Sequence, residues 1–86
     1  MQVFFHKRFK KQYKKLSQDE KEKFKMRRDL FLKDPFHPVL RNHVLSGKYN
    51  GFRSVDITGD LRAVYDEVDT GTAHFIYIGT HSQLYG

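Results

Sequence analysis

The amino-acid sequence predicts an α+β domain: an N-terminal strand, a two-helix hairpin, then a three-stranded antiparallel meander, with the helices packed on one sheet face. Three observations predict it. Phe9, Tyr13 and Leu16 recur at helical spacing in a basic segment. Ser17 and Glu20 have the spacing of a capping box, hydroxyl first and carboxylate three residues later. The second half of the chain is rich in strand formers, cut by the turns Thr58-Gly59-Asp60 and Asp69-Thr70-Gly71-Thr72.

Each element follows in order. Val3-Phe4-Phe5 reads as a short first strand. From Lys7 to Leu16 the apolar stripe marks a helix whose remaining surface is filled by Lys7, Arg8, Lys10, Lys11, Lys14 and Lys15. The capping box stops this helix and starts a second. Asp19, Glu20 and Glu22 crowd the second helix's start and Arg27, Arg28 and Lys33 its later turns, as the helix dipole favours. Phe24 and Phe31 share one side of it, with Met26 and Leu30 roughly opposite. Asp34-Pro35-Phe36-His37-Pro38 breaks it, and a loop is expected as far as Gly47. Gly51–Ile57, Leu61–Val68 and Ala73–Ile78 supply the meander. With the helices on one face, the other face is free to form a site.

Length and composition bound the function. At 86 residues, the chain 1–86 is expected to be one domain. Without cysteine it has neither a disulfide framework nor a thiolate metal site. The start, Met1-Gln2-Val3-Phe4-Phe5, is too short for a signal core, and no apolar stretch approaches the ~20 residues of a membrane helix, so a cytoplasmic, membrane-free protein is expected. The net charge of +6 favours a polyanionic partner. That charge is uneven. Residues 1–43 carry thirteen Lys/Arg against five Asp/Glu, whereas residues 44–86 carry three against five. A basic N-terminal element fits phosphates, or an acidic protein.

The segment Gly79-Thr80-His81-Ser82-Gln83-Leu84-Tyr85-Gly86 places an imidazole and a phenol just past a strand end. Histidine alone has an unperturbed pKa near neutrality, so His81 is a candidate acid or base and Tyr85 a second proton-transfer or stacking group. The same spacing also describes a plain polar tail. His43 is a second candidate, or else a surface histidine. RNA cleavage by its own 2′-hydroxyl needs one group to take that proton and another to protonate the 5′-oxygen, and two histidines suffice. Arg53 and Arg62 lie in predicted strands. They read either as forks for a phosphate or as ion-pair partners of Asp56 and Asp60. Those carboxylates flank a turn and read either as turn-makers or as a base. The bases of the first helix (Lys7, Arg8, Lys10, Lys11 and Lys14) are candidate phosphate contacts, or a solvated face. Lys48 and Tyr49 add a cation and a ring. His37 and His43 lack metal-ligand spacing and an accompanying carboxylate cluster, so no metal and no cofactor is expected. His6 and His74 have no evident partner.

With these residues in view, the chain resembles the toxins of the RelE/ParE superfamily, closest to the YafQ-like branch of bacterial mRNA interferases. The resemblance is carried by Phe9…Tyr13…Leu16, Asp34-Pro35, His43-Val44-Leu45-Ser46-Gly47, Gly51-Phe52-Arg53, Gly59-Asp60-Leu61-Arg62-Ala63-Val64-Tyr65 and Ile78 to Tyr85. It implies a RelE-like β-α-α-β-β-β fold. It also implies a type II toxin that enters the ribosomal A site against 16S rRNA and cuts mRNA there without metal, leaving a 2′,3′-cyclic phosphate or 3′-phosphate and a 5′-hydroxyl. A cognate antitoxin protein is implied as partner. The branch has histidines where His43 and His81 stand, an aspartate at Asp60 and an aromatic at Tyr85. It has a histidine at the place of Asp56 and a tryptophan at the place of Leu61, where this chain departs. Arg62 and Tyr85 match the catalytic arginine and tyrosine of the RelE branch. Two further readings are a non-catalytic toxin, like the gyrase-poisoning ParE branch, and a plain RNA- or ribosome-binding module.

Overall fold

Strand β1 (Gln2–Phe5) runs parallel to β5 (Thr72–Thr80) at one edge of a five-stranded sheet in the computed structural model, which describes residues 1–85. The final residue of the expected domain, Gly86, lies outside the described residues. The strand order is β1-β5-β4-β3-β2, with β4 at Leu61–Asp69, β3 at Arg53–Asp56 and β2 at His43–Val44. All neighbours except β1 and β5 are antiparallel. Helices α1 (Lys7–Lys14) and α2 (Gln18–Lys33) form the expected hairpin.

Ser17 starts α2 as the spacing predicts. Its hydroxyl accepts from Glu20 N–H at 3.1 Å, and the Glu20 carboxylate accepts from Ser17 N–H at 2.9 Å. The core lies between the helices and one sheet face. Phe9 from α1 and Phe24 and Phe31 from α2 meet Val55, Leu61, Ala63, Tyr65, Phe75 and Ile78. Met26, on the far side of α2, is 72 % exposed. Phe75 and Ile78 both reach this core although they are three residues apart, an odd separation that normally puts two side chains on opposite faces. A bulge reconciles them: Val64 pairs with Tyr77 while Tyr65 pairs with Phe75, leaving Ile76 as the extra residue.

β1 ends opposite Phe75, so the rest of β5 has no strand on that side. α1 takes its place, with Gln12 Oε1 accepting from Ile78 N–H at 2.9 Å. The helix thereby covers an exposed sheet edge.

Five strands stand where the sequence predicts four. The addition, β2, is two residues long and pairs His43 with Ser54 and Val44 with Arg53, inside the expected loop. Two residues carry too little periodicity to announce a strand. Pro38–Leu40 and Gly47–Tyr49 form 3₁₀ turns on either side. The segment after β5 is a short helix, α3 (His81–Tyr85), rather than a plain polar tail. It changes the second face of the sheet, which is not bare: Leu84 of α3 packs there against Leu45, Tyr49 and Val64. No helix is long and apolar enough to cross a membrane among the described residues.

Candidate functional site

The alternation of β4 separates core from site. Leu61, Ala63 and Tyr65 enter the helix-side core, so Arg62 and Val64 point to the second face. Arg62 is the cross-strand neighbour of Asp56 on β3 and of Gly79 on β5. On β3, Ser54 and Asp56 share this face, and His43 joins them opposite Ser54.

α3 is placed over Gly79 because that residue has no side chain. A Cβ there would lie 3.0 Å from Gln83 Oε1 and 3.3 Å from Gln83 Cβ. Thr80 and Gln83 cap the helix reciprocally: Gln83 Oε1 accepts from Thr80 N–H at 2.8 Å and Thr80 Oγ1 from Gln83 N–H at 3.2 Å. His81 N–H donates to the Asp60 carbonyl at 3.2 Å, tying the helix start to the β3–β4 turn. At the other end Tyr49 donates its hydroxyl to the Leu84 carbonyl at 2.9 Å. Five residues make no stable helix alone, so these contacts and buried Leu84 hold it.

The result is a ladder of rings. His81 and Tyr85 lie 4.9 Å apart by centroid, Tyr85 and Tyr49 5.5 Å, and Tyr49 and Tyr77 5.1 Å. Cations flank it. Arg8 donates to the Tyr77 hydroxyl at 3.2 Å and lies over its ring, and Lys48 Nζ sits 5.3 Å from the Tyr49 ring centre. Burial pushes the Tyr49 phenol above its ordinary pKa, with Tyr77 adding to the rise and Arg8 opposing it. His81 and Tyr85 remain exposed at the end of the ladder.

Arg62 is mostly buried. Its Nη1 lies 3.6 Å from Asp56 Oδ1, too far for a hydrogen bond. Its Nε is buried and has no hydrogen-bond partner among the described residues, and neither has Ser54 Oγ. A buried unpaired donor of this kind calls for a partner such as an ordered water or an anion.

The sequence-selected residues therefore divide. His81, Tyr85, Arg62 and His43 share one face, with His43 Nδ1–H donating to the Arg41 carbonyl at 2.8 Å. Asp60 adjoins them in the turn before Leu61. Arg53 does not join them. It pairs with Tyr65 on the helix side, where its Nε donates to Asn42 Oδ1 at 2.8 Å and its guanidinium covers the Phe36 ring. Of the α1 bases only Arg8 touches the ladder. Lys10 and Lys14 instead rim an apolar groove of Phe5, Phe9, Tyr13 and Phe24, with Arg28 beside them. Lys7 and Lys11 are exposed on α1. Tyr77 and Arg41 were not singled out by sequence. Tyr77 sits in an apolar strand, and Arg41 lies in the segment expected to be a loop.

No curated protein sequence matches the chain. Solved structures do. YafQ from E. coli aligns with a TM-score of 0.81 at 23% identity, covering 98% of this chain and 97% of that one. A chain of the E. coli DinJ-YafQ toxin-antitoxin complex aligns at 0.78 and 23%, covering 98% of this chain and 96% of that one. A YoeB/ParE toxin from Agrobacterium tumefaciens aligns at 0.75 and 21%, covering 94% and 99%. Likeness at this identity speaks for a shared fold, the α+β architecture of these toxins. The family model describing YafQ, a bacterial toxin of type II toxin-antitoxin systems, matches residues 1–86. The chain belongs to this family, the YafQ toxins of bacterial type II toxin-antitoxin systems.

Proposed function

We propose that this toxin is a ribosome-dependent mRNA endoribonuclease that inhibits translation by acid/base cleavage without metal. The observation that carries the reading is one juxtaposition. The exposed His81–Tyr85 pair stands at the end of a fixed ring ladder, on the same sheet face as an arginine with a free buried donor.

In this mechanism the scissile phosphodiester lies against Arg62. His43 or Asp60 takes the proton of the ribose 2′-hydroxyl. The 2′-oxygen attacks phosphorus, and the bond to the 5′-oxygen breaks as His81 delivers a proton to it. The products are a 2′,3′-cyclic phosphate and a 5′-hydroxyl. Arg62 stabilises the charge that builds on the phosphoryl oxygens. Tyr85 stacks on a base, as exposed aromatics do with single-stranded RNA. Arg8 and Lys48 flank the ladder and hold the strand. Lys10 and Lys14 border a different surface, the apolar groove of Phe5, Phe9, Tyr13 and Phe24.

The groups are few, and His43 and His81 are both exposed. Such a site relies on a substrate already held in reactive geometry, which the ribosomal A site, with 16S rRNA, supplies. Naked RNA should be cut slowly. A cognate antitoxin is the second partner, by analogy with the DinJ complex of the similar YafQ.

The test is to map mRNA 5′ ends after brief induction of parent and His81→Ala toxins. One positioned acid is worth about 10²–10⁴-fold, so the folded variant should lose cutting by that factor. Cutting at the parent rate refutes the assignment. Arrest of DNA replication before translation, without new 5′-hydroxyl ends, favours a gyrase-poisoning action instead.

A further inference from the structure

Arg41 stands out at the edge of the site. It has φ 48° and ψ 44°, and it is the one non-glycine residue with positive φ among the described residues. It closes the Pro38–Leu40 turn, where glycine or asparagine is the ordinary occupant. A long cationic side chain in this left-handed conformation needs a reason beyond the turn. Arg41 lies two residues before β2, the strand paired with β3, which ends at Asp56. Arg41 Nε lies 3.6 Å from Asp56 Oδ2, while Arg62 Nη1 lies 3.6 Å from Asp56 Oδ1. Two guanidinium groups therefore share one carboxylate, and neither is close enough to hydrogen-bond it. One positive charge is left over. Arg62 Nε and Ser54 Oγ, both buried and unpartnered, face the same side.

We propose that Arg41 is a substrate-binding residue, forming with Arg62 a two-guanidinium clamp for an RNA phosphodiester whose place is held by the Asp56 carboxylate in the free protein. The inference rests on the ribonuclease reading and extends it. Arg62 reaches the phosphate from the sheet and Arg41 from the turn. Asp56 lies between them as a competing anion, so it lowers affinity for phosphate while keeping the two like charges together. Guanidinium pairs suit this task because their planar forks match phosphate oxygens.

The test uses a short 2′-O-methyl RNA, which cannot be cut because its 2′-oxygen is blocked. The Arg62 Nε–H resonance serves as reporter in an NMR titration. With the parent toxin, adding the RNA should shift that resonance. Asp56→Asn should lower the midpoint about tenfold and Arg41→Ala should raise it about tenfold, each the worth of one charge-assisted contact. Arg41→Ala should also reduce the slope of log affinity against log salt by about 0.7, the loss of one phosphate contact on a single strand. Arg41→Gly, which relaxes the backbone, should behave the same way. Lys25→Ala, an equal charge change on α2, should leave the midpoint near the parent's. A midpoint unmoved by either Arg41 variant overturns the clamp. So does weaker binding by Asp56→Asn, which would make that carboxylate a direct ligand of RNA. Cutting of mRNA in translating ribosomes is read separately. If the titrations come out as stated but the parent toxin makes no 5′-hydroxyl ends, the clamp stands and the ribonuclease reading falls.

Discussion

Tyr49→Phe removes one oxygen atom and tests how α3 is held. The phenol donates to the Leu84 carbonyl at 2.9 Å, from a residue 8 % exposed to one 2 % exposed. The net worth of a hydrogen bond of this kind is about 0.5–1.5 kcal/mol. For a domain of this size about 1 kcal/mol lowers Tm by roughly 4–8 °C. If the whole loss falls on keeping α3 seated, the ratio of seated to unseated helix drops about fivefold. Cutting should then fall by no more than that factor, since the ring stays and still packs between Tyr77 and Tyr85. Tyr49→Ala removes the ring as well and should cost about 3–5 kcal/mol, as other large aromatic truncations do. Thermal unfolding and 5′-end mapping on the same preparations give both numbers. A Tyr49→Phe toxin with the parent Tm and the parent rate refutes the argument. It would mean that Leu84 and the Thr80–Gln83 cap hold the helix by themselves.

Gly79→Ala puts a Cβ 3.0 Å from Gln83 Oε1 and 3.3 Å from Gln83 Cβ. It should displace α3 and reduce cutting about tenfold or more while the helix-side core survives, read by end mapping beside near-ultraviolet circular dichroism. Arg53→Ala should lower Tm by several degrees, because it breaks the bond to Asn42 and uncovers Phe36, yet leave RNA affinity unchanged. The phenols of Tyr49 and Tyr65 are both raised above their ordinary pKa, chiefly by burial, with Tyr65 lowered in part by the Asn42 amide. A raised folded-state pKa favours the neutral phenol. Their contribution is therefore complete below about pH 10 and is lost as pH rises through the folded-state values. Urea unfolding from pH 8 upward should show this decline, and Tyr49→Phe should flatten it.

Much of the architecture is written in local chemistry that a sequence exposes. The Ser17–Glu20 box starts α2, the Phe9–Tyr13 stripe faces inward, and the runs of strand formers become β3, β4 and β5. What escaped is short or depends on register. β2 is two residues long. α3 did leave a signal, since Thr80 and Gln83 have capping-box spacing, but the preceding strand formers mask it. Arg53 and Arg62 look alike in sequence. Only the pairing of Arg53 with Tyr65, and of Arg62 with Asp56, sends them to opposite faces. Charge composition likewise cannot tell Arg8, which meets Tyr77, from Lys10 and Lys14, which border a separate groove.

One strand, β4, explains why fold and site cannot drift apart. Leu61, Ala63 and Tyr65 fill the core while Arg62 and Val64 build the opposite face. A slip of one residue would bury the guanidinium among phenylalanines and expose the core, so hydrophobic burial itself fixes where Arg62 points. The same economy runs through α3. Leu84 and the Tyr49 bond root the helix in the second cluster, which lets His81 and Tyr85 stay in solvent without becoming mobile tails. An acid/base group must be accessible to substrate and yet held to a fraction of an ångström. In the proposed mechanism one buried residue, Leu84, a single position from Tyr85 and three from His81, meets both demands. Mutations in the second cluster should therefore reach the chemistry before they reach global stability.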